Sequence, residues 1–131
     1  MGGAAGSILI IDDEPALLRM ISVYLGRMGY TVKVAESVAK ARVELAAGPP
    51  GGFAVVVLDA TLRGTTLAEL GAEILAAGAG VRLIAASGYP ADMSGLEALA
   101  PGRVAFLHKP FSPEMMAAAV RRMLGTEKEG L

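Results

Sequence analysis

Five short apolar runs, each followed by a segment of helical period, organise this sequence: Ser7–Ile11, Thr31–Ala35, Phe53–Leu58, Val81–Ala86 and Arg103–Leu107. The third, Phe53-Ala-Val-Val-Val-Leu58, is apolar throughout, which predicts burial on both faces as in the middle of a parallel sheet. Strand-then-helix repetition without an internal sequence repeat predicts parallel strands joined by right-handed crossovers, with helices on both faces. Five units are too few for a barrel, which needs about eight. The expected architecture is an open, doubly wound α/β sheet of order 2-1-3-4-5, whose switch point falls between strands one and three.

The helices announce themselves through their ends. Pro15 suits a first helical position, and Leu18, Ile21, Leu25 and Met28 then share one face until Gly29 stops the run. Ser37 can cap a helix that buries Val38, Ala41 and Leu45. Thr66-Leu67-Ala68-Glu69 and Ser94-Gly95-Leu96-Glu97 both read as capping boxes. The first would open a helix with Leu70 and Ile74 inward, the second a short helix ended by Pro101-Gly102. Ser112-Pro113-Glu114 starts a last helix with Met116, Val120, Met123 and Leu124 inward, and Gly125 ends it.

Composition removes several classes of function. The chain of 131 residues carries 12 Lys and Arg against 13 Asp and Glu, a net charge of −1. That balance lacks the cationic excess on which nucleic-acid or anionic-membrane binding depends. There is no cysteine and a single histidine, His108, which excludes thiol chemistry, disulfides and His-cluster metal sites. No run of twenty apolar residues exists, and the first residues lack the basic start of a signal peptide. The expectation is one cytoplasmic domain over residues 7–125, with short flexible tails at 1–6 and 126–131.

The chemistry concentrates where the strands end. Strand one runs into Asp12-Asp13 and strand three into Asp59, so adjacent strands would bring three carboxylates to one crevice. Unrelieved, they repel. A hard divalent cation resolves the conflict, and oxygen ligands with room for water and phosphate suit Mg2+, with Mn2+ as a substitute. Taken alone, Asp12-Asp13 reads equally well as a helix cap with a charged neighbour, and Asp59 as a loop cap. Strand four ends in Ser87-Gly88-Tyr89, offering a hydroxyl and a backbone N–H that an anion can approach. Strand five ends in His108-Lys109-Pro110, where Lys109 can set a cation over the crevice and Pro110 is a candidate cis peptide.

In that order (acidic pair, aspartate, hydroxyl, Lys-Pro at four successive loops) the constellation resembles the receiver domain of bacterial response regulators, a flavodoxin-like fold whose own strand order is the one assumed above. The resemblance runs from about Ile8 to Leu124, and the spacing fits, with Ser87 28 residues after Asp59 and Lys109 22 residues after Ser87. It implies that Asp59 accepts a phosphoryl group from phosphohistidine on a histidine kinase or histidine phosphotransfer protein. It further implies that Asp13, Asp59 and the main-chain carbonyl of Thr61 hold Mg2+, with Asp12 acting through metal-bound water. Lys109 would pair with the phosphoryl oxygen and Asp59, Ser87 would donate its hydroxyl, and the backbone N–H groups of Ala60 and Gly88 would contact the anion. Phe106 matches the family's switch aromatic, with core packing as its competing role. A downstream protein would then read the face made by helix four, strand five and helix five, and a homodimer is a further arrangement the resemblance allows.

Two positions depart from the commonest pattern: Arg63 stands where many relatives have proline, and Leu67 where many have glycine. Three other readings compete. A degenerate receiver would serve only as a binding or dimerisation module. A flavin or nucleotide protein would present phosphate with a Gly- or hydroxyl-rich first loop, whereas this loop is Asp12-Asp13-Glu14. An aspartate-nucleophile phosphatase would want an acid two residues after Asp59, where Thr61 stands.

Overall fold

The computed structural model describes residues 6–50 and 52–125. The tails expected at 1–6 and 126–131 therefore lie, residue 6 apart, outside the described residues. Strands and helices alternate along the chain: β1 (Ser7–Ile11), α1 (Pro15–Arg27), β2 (Thr31–Ala35), α2 (Val38–Ala46), β3 (Val55–Asp59), α3 (Leu67–Ala76), β4 (Arg82–Ser87), α4 (Ser94–Leu99), β5 (Val104–His108) and α5 (Pro113–Leu124). The strands form one parallel sheet of order β2-β1-β3-β4-β5. This is the flavodoxin-like (βα)5 architecture: the alternation of runs predicts the parallel α/β sheet, and the family resemblance implies its strand order.

Successive residues of a strand point to opposite faces, so each inner strand feeds two cores. Ile8 and Ile10 of β1, Val55 and Val57 of β3 and Ile84 of β4 pack with Leu18, Ile21 and Leu25 of α1 and Met116 and Val120 of α5. Leu9, Ile11, Val56, Leu58 and Leu83 turn the other way, onto Val38 and Ala41 of α2, Leu70 and Ile74 of α3 and Leu96 of α4. Every residue of β3 is buried. That strand is central because its residues as far as Leu58 are apolar and lose nothing by leaving water. Among the described residues no helix is long and apolar enough to cross a membrane.

The caps at Ser37, Thr66 and Ser112 form, each side-chain oxygen accepting the N–H three residues on. The cap expected at Ser94 does not. Ser94 is the first residue of α4, and Asp92 accepts both its N–H and its hydroxyl, so the carboxylate two residues upstream outcompetes it. Glu97, its expected partner in the box, instead accepts the N–H of Gly102 and closes the far end of α4.

Strands four and five begin and end one residue later than their apolar runs suggest. Val81 and Arg103 are spent in turns, donating their N–H groups to Gly78 and Ala100. Arg103 also donates from its guanidinium to the carbonyls of Val81, Leu75 and Gly78, tying the start of β5 to the end of α3. Phe53 precedes β3 yet is buried beneath the loop before it, against Gly48.

Candidate functional site

The parallel ladder sets the site by continuing one residue past the strands. Asp12 donates its N–H to Ala35, Ala60 to Ala86, and Lys109 to Ser87. Asp59 and Ser87 are themselves the last residues of β3 and β4. The rim of the sheet thus carries Asp12, Asp59, Ser87 and Lys109 on rigid backbone, while Asp13 and Thr61 occupy the loops just beyond. Among the described residues, Asp12, Asp59 and Ser87 are the buried polar side chains, at 3%, 5% and 2% exposure. Polar groups at that depth in an apolar sheet edge are costly unless partnered, so their partners show what the site is built to do.

Asp12 is satisfied on both oxygens. Its Oδ1 accepts the N–H of Glu14 at 3.0 Å and its Oδ2 accepts Lys109 Nζ at 2.8 Å. Asp59 is asymmetric. Its Oδ1 accepts both the N–H of Thr61 at 2.9 Å and the Thr61 hydroxyl at 2.8 Å, whereas its Oδ2 lies 3.8 Å from Lys109 Nζ. Lys109 is also 3.8 Å from Glu14 Oε1. The lysine is therefore seated on Asp12, with Asp59 Oδ2 close but not hydrogen-bonded to it. Asp13 is exposed, and one oxygen each from Asp12, Asp13 and Asp59 lies within 4.8 Å of the others.

The electrostatics follow from crowding. Burial pushes the Asp12 carboxyl above its ordinary range and the charge of Asp59 adds to this, against the Lys109 and Glu14 hydrogen bonds and the Lys109 charge. For Lys109, burial pulls downward, but the hydrogen bond to Asp12 and the charges of Asp12, Asp59 and Glu14 together carry it above its ordinary value. The two groups thus move up for different reasons, Asp12 chiefly because it is buried and Lys109 because carboxylates surround it. Three oxygen donors with surplus negative charge match a hard divalent cation.

Ser87 Oγ accepts the N–H of Tyr89 at 3.0 Å, which fixes the turn after β4 and leaves the hydroxyl proton for another acceptor. The two backbone donors expected beside the site differ. The Ala60 N–H donates to the Ala86 carbonyl. Gly88 lies at the rim, and a Cβ built there meets nothing within 4 Å, so packing alone does not require glycine. Lys109-Pro110 is a cis peptide. Phe106 is half-buried on β5, stands outside both core clusters, and lies 6.1 Å from the His108 ring. Core packing is thus not its main occupation. Beside the crevice opens a cavity of about 550 Å³ lined by Glu14, Leu17, Met20, Gly88, Lys109 and Phe111 among others.

The acids, the hydroxyl and the lysine are legible in the sequence, as is Thr61 at the flank of the site, but the bond from the Thr61 hydroxyl to Asp59 Oδ1 is not. A hydroxyl two residues after an aspartate is the signal that could have shown it, since that spacing lets a carboxylate accept from both the amide and the side chain.

A doubly wound sheet with three acids and a lysine near its switch point is an acidic, cation-receptive α/β module. The family model described as response regulator receiver domain matches residues 8–121, and the chain belongs to that family. Among curated relatives, the transcriptional regulatory protein FixJ of Azorhizobium caulinodans is 32% identical over 120 residues, covering 92% of this chain and 56% of that protein. Transcriptional regulatory protein ResD of Bacillus subtilis is 30% identical over 119 residues, covering 89% and 47%. The chain thus spans 56% and 47% of the length of these two regulators. Of solved structures, the response regulator DrrB of Thermotoga maritima superposes with a TM-score of 0.73 at 27% identity, covering 92% of this chain and 53% of that one. A CheY-like receiver domain protein from Methanospirillum hungatei superposes at 0.77 with 24% identity, covering 94% and 97%, a likeness of fold.

Proposed function

We propose that residues 7–125 form a working phosphoacceptor, in which Asp59 takes a phosphoryl group from phosphohistidine on a histidine kinase or phosphotransfer protein. The observation that carries this reading is the contrast between the two buried aspartates. Asp12 is hydrogen-bonded on both oxygens, whereas Asp59 keeps Oδ2 unbonded at the mouth of the crevice with Lys109 3.8 Å away. A nucleophile needs an accessible lone pair beside groups that neutralise the transferring charge.

The Oδ2 lone pair forms the bond to phosphorus, the N–P bond of the donor breaks, and its electron pair stays on the imidazole nitrogen, which then takes a proton. Lys109 shifts from Asp12 toward the phosphoryl oxygens, and Ser87 donates its free hydroxyl proton to one of them. Asp13, Asp59 and the Thr61 carbonyl would hold Mg2+, with Asp12 assisting indirectly. When bound, that ion supplies charge neutralisation for the phosphoryl oxygens. Among the backbone groups, Gly88 offers its N–H to the phosphoryl group, whereas Ala60 can do so only by giving up Ala86.

The output runs through Ser87 and Phe106. Ser87 moving toward the phosphoryl group vacates space beside β4, and the half-buried Phe106 enters it. This remodels the face of α4, β5 and α5, which a downstream protein reads in the cytoplasm. The test is incorporation of a phosphoryl group by the purified chain with Mg2+ and a phosphorylated kinase or phosphotransfer protein, followed by intact-mass measurement. Wild type gains one phosphoryl group and Asp59→Asn gains none. A wild-type chain that stays unmodified with every donor, while still binding partners, is a binding module instead.

A further inference from the structure

We propose that Leu62 is a positioning residue for the cation site: buried in the core that α2 and α3 cover, it holds the adjoining Thr61 carbonyl where a divalent cation can use it. The inference rests on the phosphoacceptor reading and concerns how the cation-binding part of that site is supported. Of residues 60–66, which join β3 to α3, Leu62 alone is buried, at 4% exposure. It lies in one core cluster with Leu58 of β3, Val38 of α2 and Leu70 of α3. Its neighbours in the chain, Thr61 and Arg63, are both exposed.

A carbonyl ligand is aimed by its peptide plane. The two hydrogen bonds to Asp59 Oδ1 fix the N–H and side chain of Thr61, which leaves the plane that follows them free to turn. That plane joins the Thr61 carbonyl to the Leu62 N–H, and in a trans peptide the two point in opposite directions. The Leu62 N–H donates to the Asp59 carbonyl at 3.1 Å, so the same bond sets the direction of the Thr61 carbonyl. Burial of the Leu62 side chain keeps that bond in place. Two residues on, Gly64 turns at φ 91°, and a Cβ built there would lie 3.6 Å from Val38 Cγ2. Val38 is the first residue of α2, which the Ser37 cap fixes. The loop is therefore pinned at Leu62 and rests at Gly64 on a capped helix start. A hard cation tolerates little error in the placing of its oxygen ligands, so the anchor matters to affinity.

General loss of stability is the competing effect, because truncating any buried leucine leaves a cavity. Leu25→Ala is the control for it. Leu25 is fully buried in the other core, and its place on α1 puts it about 15 Å along the helix from Pro15 at the crevice end. Leu62→Met keeps a buried apolar side chain of similar volume. Leu62→Val is the milder truncation, and it decides the matter should Leu62→Ala fail to fold, which thermal unfolding checks.

Each chain is titrated with Mn2+ in the absence of any phosphodonor. Electron paramagnetic resonance reads the free ion, and water proton relaxation reads the hydration of the bound ion. Leu62→Ala should bind Mn2+ about tenfold more weakly than wild type and Leu62→Val by a smaller factor, with Leu62→Met and Leu25→Ala within about twofold. The ion bound to Leu62→Ala should carry an added water in place of the Thr61 carbonyl. Wild-type affinity in both truncations at Leu62 overturns the proposal, as does Leu25→Ala weakening binding as much as Leu62→Ala. Weaker binding with unchanged hydration overturns it too, since the carbonyl would then still be in place. A wild type that binds no Mn2+ removes the cation site and this inference with it. A wild type that binds Mn2+ but takes up no phosphoryl group from any donor sinks the phosphoacceptor reading alone.

Discussion

At the scale of single residues, the site is a problem in charge crowding. Asp12 sits above its ordinary carboxyl range because burial outweighs the help of Lys109 and the Glu14 amide. A carboxyl whose folded pKa exceeds its unfolded value contributes stability below the unfolded value of 3.8, and loses it as pH rises through the folded value. The cation-free chain is therefore less stable at neutral than at mildly acid pH, so far as Asp12 is concerned. Thermal unfolding against pH in a chelator should show that decline, and Asp12→Asn should flatten it. An Asp12→Asn chain with the same decline would place the effect elsewhere. The expectation for Asp59 as a loop cap is also met in part, through its Oδ1 and Thr61. Cap and nucleophile are compatible because they use different oxygens.

At the scale of elements, two junctions hold the helices of one face. Gly71 lets α3 and α4 approach so closely that an added Cβ would lie 2.9 Å from Leu96 Cδ1 and 3.3 Å from Leu83 Cδ2. Arg103 closes the other end, donating to three carbonyls where α3 ends and β4 begins. The Leu75 carbonyl belongs to the last turn of α3 and carries the partial negative charge of a helix C-terminus, which a guanidinium suits in both charge and reach. Arg103→Ala should cost about 1.5–3 kcal/mol in chemical denaturation, the range for hydrogen bonds from a charged group. Arg103→Lys should recover only part, because one ammonium cannot span three acceptors in fixed directions. A full recovery by lysine would show that charge alone matters. The displaced cap at Ser94 belongs to this scale too. The sequence pattern points to Ser94 as the cap, but Asp92, a charged acceptor two positions upstream, takes its N–H and hydroxyl.

At the scale of the whole molecule, the sheet separates two cores and leaves one polar edge, with the α4–β5–α5 face beside it. Phe106 belongs to neither core, so truncating it should leave stability nearly unchanged while altering what phosphorylation does at a distance. In Phe106→Ala, the gain in partner affinity on phosphorylation should fall about tenfold, a coupling loss of about 1.4 kcal/mol, measured by calorimetry with each form. A partner whose affinity responds as in wild type removes the switch role. A large loss of stability would return Phe106 to packing.

Much was legible in the chain itself, for physical reasons that are local. The unbroken apolar run before Asp59 could only be a strand buried on both faces, and alternation with helical segments required it to be parallel. The order of acids, hydroxyl and lysine at the strand ends then placed them at one edge. Tertiary structure alone decided how those groups share their partners: Lys109 seated on Asp12 rather than Asp59, the Ala60 N–H spent on Ala86, Arg103 reaching back to α3. Each of these is a competition between acceptors brought together from distant parts of the chain. A sequence lists the competitors, but only the distances and burial of the folded state determine which of them wins.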